Sequence, residues 1–185
     1  MQEVEHIRTI RETADCLKSE AEVELIIDQV ANSLRHQYEN KNPLFLCIMR
    51  GGMIFLSKLL ERLQFPLEVD YIHVTRYQDG TSGTDHIEWK ARPTTAVAGR
   101  SIIVVDDILD EGATLKAVLQ DPMWEAADEV KTAVLIDKQH DRKVDPSFKA
   151  DFTGMTIEDR YLFCYGMDYK GYLRNAPGIF AVKGL

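Results

Sequence analysis

Asp106, Asp107, Asp110 and Glu111 crowd into one short stretch of the chain, beside Gly112 and Thr114. Ahead of them stands the apolar run Ile102-Ile103-Val104-Val105, and after them an apolar-periodic segment begins. A β-branched run of that length reads as a strand buried on both faces, ending in the two acids. A strand, a short polar loop with a glycine and a helix start are a frame for binding phosphate, because helix N-terminal amides are free and the dipole favours an anion. Carboxylates beside a phosphate repel it unless something intervenes. A bridging Mg2+ is one solution. A ligand that offers hydroxyls to the acids and a phosphate to the amides is another. A ribose 5-phosphate fits the second: its diol donates to Asp106 and Asp107 while its phosphate sits on Asp110 to Thr114. The stretch is neither a Walker A loop nor a dinucleotide fingerprint, since the chain contains no G-x-x-x-x-G-K-[ST] and no G-x-G-x-x-G.

Other residues of chemical interest also follow apolar runs. Arg50-Gly51-Gly52 follows Leu44 to Met49, with the glycines allowing backbone to approach a ligand. Asp137 and Lys138 follow Lys131 to Ile136. Apolar runs alternating with helical segments predict an α/β domain with a mostly parallel central sheet flanked by helices. Parallel strands joined by right-handed crossovers bring their C-terminal ends to one edge, where open α/β sheets bind ligands. Arg50, the acid pair and Lys138 are therefore expected to share one crevice.

The remaining pattern supplies the frame. Ser19 and Glu22 form a capping box before a helix to Tyr38, with Val23, Ile26, Ile27, Val30 and Leu34 on one face. A second helix is expected over 53–63. Leu67 to Thr75 reads as a strand, and Ile87 and Trp89 as its return. Between them lies the polar stretch from Arg76 to Asp85, with a D-G turn signal, expected to be a lid. Short strands are possible at 151–153 and 161–165. Residues 1–18 show no strong period.

Composition narrows the class. The 185 residues suffice for one domain, at 45% hydrophobic and 28% charged, with a net charge of −8. Such acidity argues against broad nucleic-acid binding. Cys16, Cys47 and Cys164 are widely spaced, so no zinc site or disulfide framework is suggested, and Cys47 reads as a buried small hydrophobe. There is no secretory pattern at the N-terminus and no apolar stretch near the roughly 20 residues that span a bilayer. A cytoplasmic protein with no membrane partner is the simplest expectation.

The central stretch V-V-D-D-I-L-D-E-G-A-T-L resembles the phosphoribosyl-pyrophosphate signature of the type I phosphoribosyltransferases. M-R-G-G at 49–52, Arg76-Tyr77, Asp137-Lys138, Tyr161-Leu162, Met167-Asp168-Tyr169 and Arg174 extend the resemblance to the hypoxanthine-guanine, or 6-oxopurine, class. The resemblance implies a single domain over 1–185, a small hood from about 1–18 and 150–185, and a long mobile lid loop over about 75–92. It implies transfer of a phosphoribosyl group from phosphoribosyl pyrophosphate to hypoxanthine, guanine or xanthine in purine salvage, with Mg2+ as cofactor. Asp110 would exchange a proton with purine N7. Asp106 and Asp107 would hold the ribose hydroxyls, directly or through Mg2+, and Asp168 would meet the metal. Asp110, Glu111, Gly112, Ala113 and Thr114 would cradle the 5-phosphate. Arg50, Gly51 and Arg174 would face pyrophosphate, and a cis peptide is implied around Arg50. Lys138 would donate to the 6-oxo group, Tyr161 would stack on the purine and the Leu162 backbone would read its 2-position. Arg76 and Tyr77 would ride the lid. Many relatives carry Thr at the place of Glu111 and a basic or bulkier residue at that of Ala113, which implies that Glu111 binds through its amide with its side chain turned away. A homodimer or homotetramer is implied. The alternatives are a non-catalytic nucleotide-binding regulator on the same fold, a pyrimidine or adenine transferase, and a phosphoacceptor receiver domain. The last puts its acid pair on the first strand, whereas here two apolar strands precede it.

Overall fold

The computed structural model describes residues 2–77 and 86–184, with the side chains of all these but Arg76, Tyr77 and His86. A large sheet is built from β2 (Leu44–Met49), β3 (Glu68–Tyr77), β4 (His86–Ala91), β5 (Ser101–Leu109), β6 (Glu129–Gln139) and β7 (Phe152–Glu158). Its order is β4-β3-β2-β5-β6-β7, parallel except where β4 returns antiparallel on β3. β2 and β5 lie side by side although their onward connections run to opposite edges. That is a topological switch point, and its crevice opens beyond the strands' C-terminal ends.

The central run is buried as its composition demands. Ile103 and Val105 join a core on one face with Phe45, Cys47, Ala133 and Leu135. Ile102 and Val104 join a second core on the other face with Leu46, Val134, Val118 and Trp124. Helices α2 (Glu20–Tyr38) and α3 (Gly52–Leu60) cover the first face. Helix α4 (Ala113–Leu119) and a 3-10 turn over Pro122–Trp124 cover the second. The expected capping box starts α2: the Ser19 hydroxyl accepts from the Glu22 amide, and the Glu22 carboxylate accepts from the Ser19 amide at 2.8 Å. Val23, Ile27, Val30 and Leu34 then form the buried stripe.

Several boundaries differ from expectation. β5 does not end at the acids but runs through them, because pairing with β6 continues to Ile108–Ile136 and Leu109–Asp137. β6 likewise continues past Ile136 to Gln139, held by β7 as far as Glu158. The patternless N-terminus forms α1 (Gln2–Thr13) and β1 (Asp15–Lys18). β1 pairs with β9 (Ile179–Ala181), and β9 with the short β8 (Leu162–Phe163), as a separate three-stranded sheet. Residues 152–158 belong to the large sheet, so the C-terminal part of the small sheet begins only after them. Cys47 and Cys164 are buried and free, and burial pushes both thiols up to about 12. Among the described residues, no helix is long and apolar enough to cross a membrane.

Candidate active site

A cavity of about 490 Å3 opens at the C-terminal ends of β2, β5 and β6. Arg50, Gly51, Asp106, Asp107, Asp110, Lys138, Tyr161, Leu162, Asp168 and Arg174 all line it. A second hollow of about 370 Å3 continues from it along Asp106 to Leu115. Glu111, Gly112, Ala113 and Thr114 sit there, sharing Asp106, Asp107 and Asp110 with the first. The sheet edge thus gathers every site residue named above except Arg76 and Tyr77, whose side chains lie outside the described residues, as do residues 78–85 of the expected lid.

The acid pair is crowded. Burial, and then repulsion from Asp107, pushes Asp106 well above the ordinary carboxylate range. Burial pushes Asp107 up to about 6, opposed by hydrogen bonds from its surroundings and by the Arg174 guanidinium. Arg174 itself pairs with Asp168 and donates to the Gly166 carbonyl. Asp168 also accepts from the Gly171 amide at 2.6 Å. The Met49–Arg50 peptide is cis, which settles which bond of the M-R-G segment is unusual. Gly51 then passes so close to the acids that a β-carbon on it would lie 2.5 Å from the Asp107 carboxylate. From the other side comes Gly166, with φ +113, after Cys164 and Tyr165, which also have positive φ. A β-carbon on Gly166 would collide with the Gly51 carbonyl.

On the opposite wall, Lys138 is 8% exposed and lies 3.2 Å from both Asp110 and Asp159. Arg142 holds Asp159 with two bonds, of 2.5 and 2.9 Å. Those bonds first, then Lys138, hold the Asp159 carboxyl well below its usual range, and Asp159 raises Arg142 in turn. His140, its side chain 2% exposed, lies 2.6 Å from Asp110. The sequence pattern did not single out His140, Arg142 or Asp159. Strand alternation gives no signal for His140, because β6 ends at Gln139.

The loop after β5 turns into α4 through Gly112, with φ +82, a left-handed conformation that suits glycine. The Glu111 carbonyl accepts from the Val144 amide at 3.0 Å. Tyr161 is not a core aromatic: it is 42% exposed on the cavity wall, edge-on to Tyr169 at 5.6 Å between ring centres. Leu162 is buried beside it at the start of β8. The carboxylate oxygens of the cleft suit a hard divalent cation and Arg174 suits an anionic ligand, but among the described residues no three His, Cys, Asp or Glu side chains gather closely enough to hold a metal by themselves.

The phosphoribosyl transferase domain model matches residues 13–170. The chain is 35% identical over 167 residues to the hypoxanthine-guanine phosphoribosyltransferase of Lactococcus lactis, a match covering 90% of each chain. It is 32% identical to the hypoxanthine-guanine-xanthine phosphoribosyltransferase of Tritrichomonas foetus, again over 90% of each. A crystal structure of a hypoxanthine phosphoribosyltransferase from Staphylococcus aureus superposes with a TM-score of 0.83 at 26% identity, covering 91% of both chains.

Proposed function

This chain belongs to the phosphoribosyl transferase family, and on that premise we propose that it transfers the 5-phosphoribosyl group of phosphoribosyl pyrophosphate to a 6-oxopurine, giving IMP or GMP and pyrophosphate in purine salvage. One observation carries the choice of base. Lys138, a donor, and Asp110, an acceptor, stand side by side at 3.2 Å on the cavity wall. A 6-oxopurine presents the complementary pair, its 6-oxo acceptor beside the N7–H donor, at roughly hydrogen-bond spacing. Adenine puts an amino donor against the ammonium and is rejected.

In this reading the purine stacks on Tyr161, with the Leu162 backbone at its 2-position. Asp106 and Asp107 accept from the ribose hydroxyls. The amides of Glu111, Gly112, Ala113 and Thr114, with the Thr114 hydroxyl and Asp110 beside them, hold the 5-phosphate. Arg50, Gly51 and Arg174 face pyrophosphate. A purine ring nitrogen bonds to C1 as the C1–O bond to pyrophosphate breaks, and the N7 proton passes to Asp110. Arg76 and Tyr77 belong to the lid that excludes water. Asp106 and Asp107, with Asp168 in the same cavity, would hold a hard cation, since positive charge would offset the burial that raises both acids and the repulsion from Asp107 that adds to it at Asp106. Mg2+ there would neutralise charge on the leaving pyrophosphate. Residues 1–185 act as one domain, in the cytoplasm, where free buried cysteines are at ease. A homodimer or homotetramer would cover Met53, Val69 and Tyr71, each about half exposed beside α3 and β3.

The alternative of a non-catalytic regulator draws no support from the relatives, which are named as transferases. The test is turnover of phosphoribosyl pyrophosphate with hypoxanthine, guanine, xanthine and adenine, each with Mg2+ and with chelator. Mg2+-dependent nucleotide formation is expected from oxopurines only. Asp110→Asn should lower kcat about 100- to 10,000-fold, the usual range for a lost general base. Turnover of adenine alone, or of no base, would overturn the reading.

A further inference from the structure

We propose that His140 is a positioning residue for Asp110, fixing one carboxylate oxygen so that the other faces the purine. The inference rests on the role of Asp110 as the base. Five groups close a ring at and just beyond the C-terminal ends of β5, β6 and β7. Arg142 binds Asp159, Asp159 meets Lys138, Lys138 meets Asp110, Asp110 meets His140, and the His140 ring returns to the Arg142 backbone. The two holds on Asp110 differ in kind. Its Oδ2 faces the Lys138 ammonium at 3.2 Å, a flexible donor with a second carboxylate available to it. Its Oδ1 faces His140 Nε2 at 2.6 Å, on a ring buried to 2% exposure.

The ring's tautomer follows from its other nitrogen. The Arg142 amide donates to His140 Nδ1 at 3.1 Å, and it can do so only to an unprotonated nitrogen. The proton of the neutral imidazole therefore sits on Nε2 and is donated to Asp110 Oδ1. When a purine arrives, its 6-oxo group draws Lys138 away and Oδ2 becomes free to meet N7–H. His140 keeps Oδ1, so the carboxylate cannot rotate out of line. Misplacement by about 1 Å can cost on the order of 100-fold in rate.

The charged groups that surround the His140–Asp110 contact are Lys138, Arg142 and Asp159, with Asp141 in the same loop and Asp106 and Asp107 across the cavity. None of them replaces a directed donor on Oδ1.

The test compares His140→Phe, which keeps ring bulk without a donor, with His140→Gln, whose amide can restore one. His140→Phe should lower kcat about 10- to 100-fold with little change in KM for phosphoribosyl pyrophosphate. His140→Gln should recover most of the lost kcat. Wild-type kcat in His140→Phe, or no recovery in His140→Gln, would overturn the proposal. Nitrogen-15 NMR of the histidine rings in the wild type gives a reading that needs no variant to fold. A protonated Nε2 and bare Nδ1 at His140, assigned by its loss in His140→Gln, are expected. The opposite tautomer would overturn the proposal. Absence of turnover in the wild type would instead sink the role of Asp110 as a base, while the NMR reading would still report the contact.

Discussion

Lys138 is buried between two carboxylates, and that placement is what makes it selective. An ammonium held by Asp110 and Asp159 stays charged at the wall when a base enters, so it favours a base that offers it an acceptor over one that offers a donor. Replacing it as Lys138→Met should lower kcat/KM for hypoxanthine about 100-fold, the worth of a hydrogen bond to a charged group. Adenine should lose much less, because its amino group never accepted that bond. The check is the hypoxanthine-to-adenine ratio of kcat/KM in the two proteins, and an unchanged ratio would remove Lys138 from base selection. Lys138, Asp110 and the acid pair were legible in the sequence because each follows an apolar run, so the fold delivers them to one edge. His140, Arg142 and Asp159 were not. No pattern marks them in sequence, and their character comes only from a ring that links residues 110, 138–142 and 159 in space.

At the scale of elements, the legible pieces are those with a strong local cause. α2 has its capping box and a continuous apolar stripe, and β2 is a pure apolar run; both lie where the pattern put them. α1 buries only Ile7, so no stripe announces it, and β1, β8 and β9 are short strands made stable by one another rather than by their own composition. The acids of β5 illustrate the reverse failure. Charge suggested that the strand had stopped, yet the backbone ladder with β6 continues and side-chain polarity does not break it. The turn at Cys164 to Gly166 is a further element that composition could not show. It presses Gly166 against the Gly51 carbonyl and so braces the M-R-G loop from the side of the small sheet. Gly166→Ala adds a methyl at φ +113 into that contact. It should cost about 1–3 kcal/mol in stability by urea unfolding. Its kcat/KM for phosphoribosyl pyrophosphate should fall at least about 10-fold, since the Gly51 backbone must shift. An alanine variant with normal kinetics would mean that the brace is not transmitted to the site.

Over the whole molecule, carboxylates tie separate elements together, and this makes the fold sensitive to acid. Glu22 caps α2 and is held down to about 2, first by the Ser19 amide and then by its hydroxyl. Asp151 joins β6 to the start of β7: partial burial alone would raise it, but Lys131 and Thr132 outweigh that and lower it. Asp121 is lowered, chiefly by Arg92, and links the 3-10 turn to the segment after β4. Asp70 gives the cleanest test. Partial burial works against its charge, but the amides of Thr95, Tyr71 and Thr94, at 2.7–2.8 Å, hold it down to about 2 against 3.8 for a free side chain. Because the folded value is depressed, its contribution is fully present above pH 3.8 and is lost as pH falls through that value towards 2. Asp70→Asn keeps an acceptor but no charge. It should be less stable than wild type by about 1–2 kcal/mol at pH 7, the margin between charged and neutral hydrogen bonds. The gap should close as the pH approaches 2, where wild-type Asp70 is itself becoming neutral. Urea midpoints of both proteins at pH 7, 4, 3 and 2 measure it. A gap of constant size across that range would show that the carboxylate's shape, not its charge, fastens β3 to the segment at 94–95.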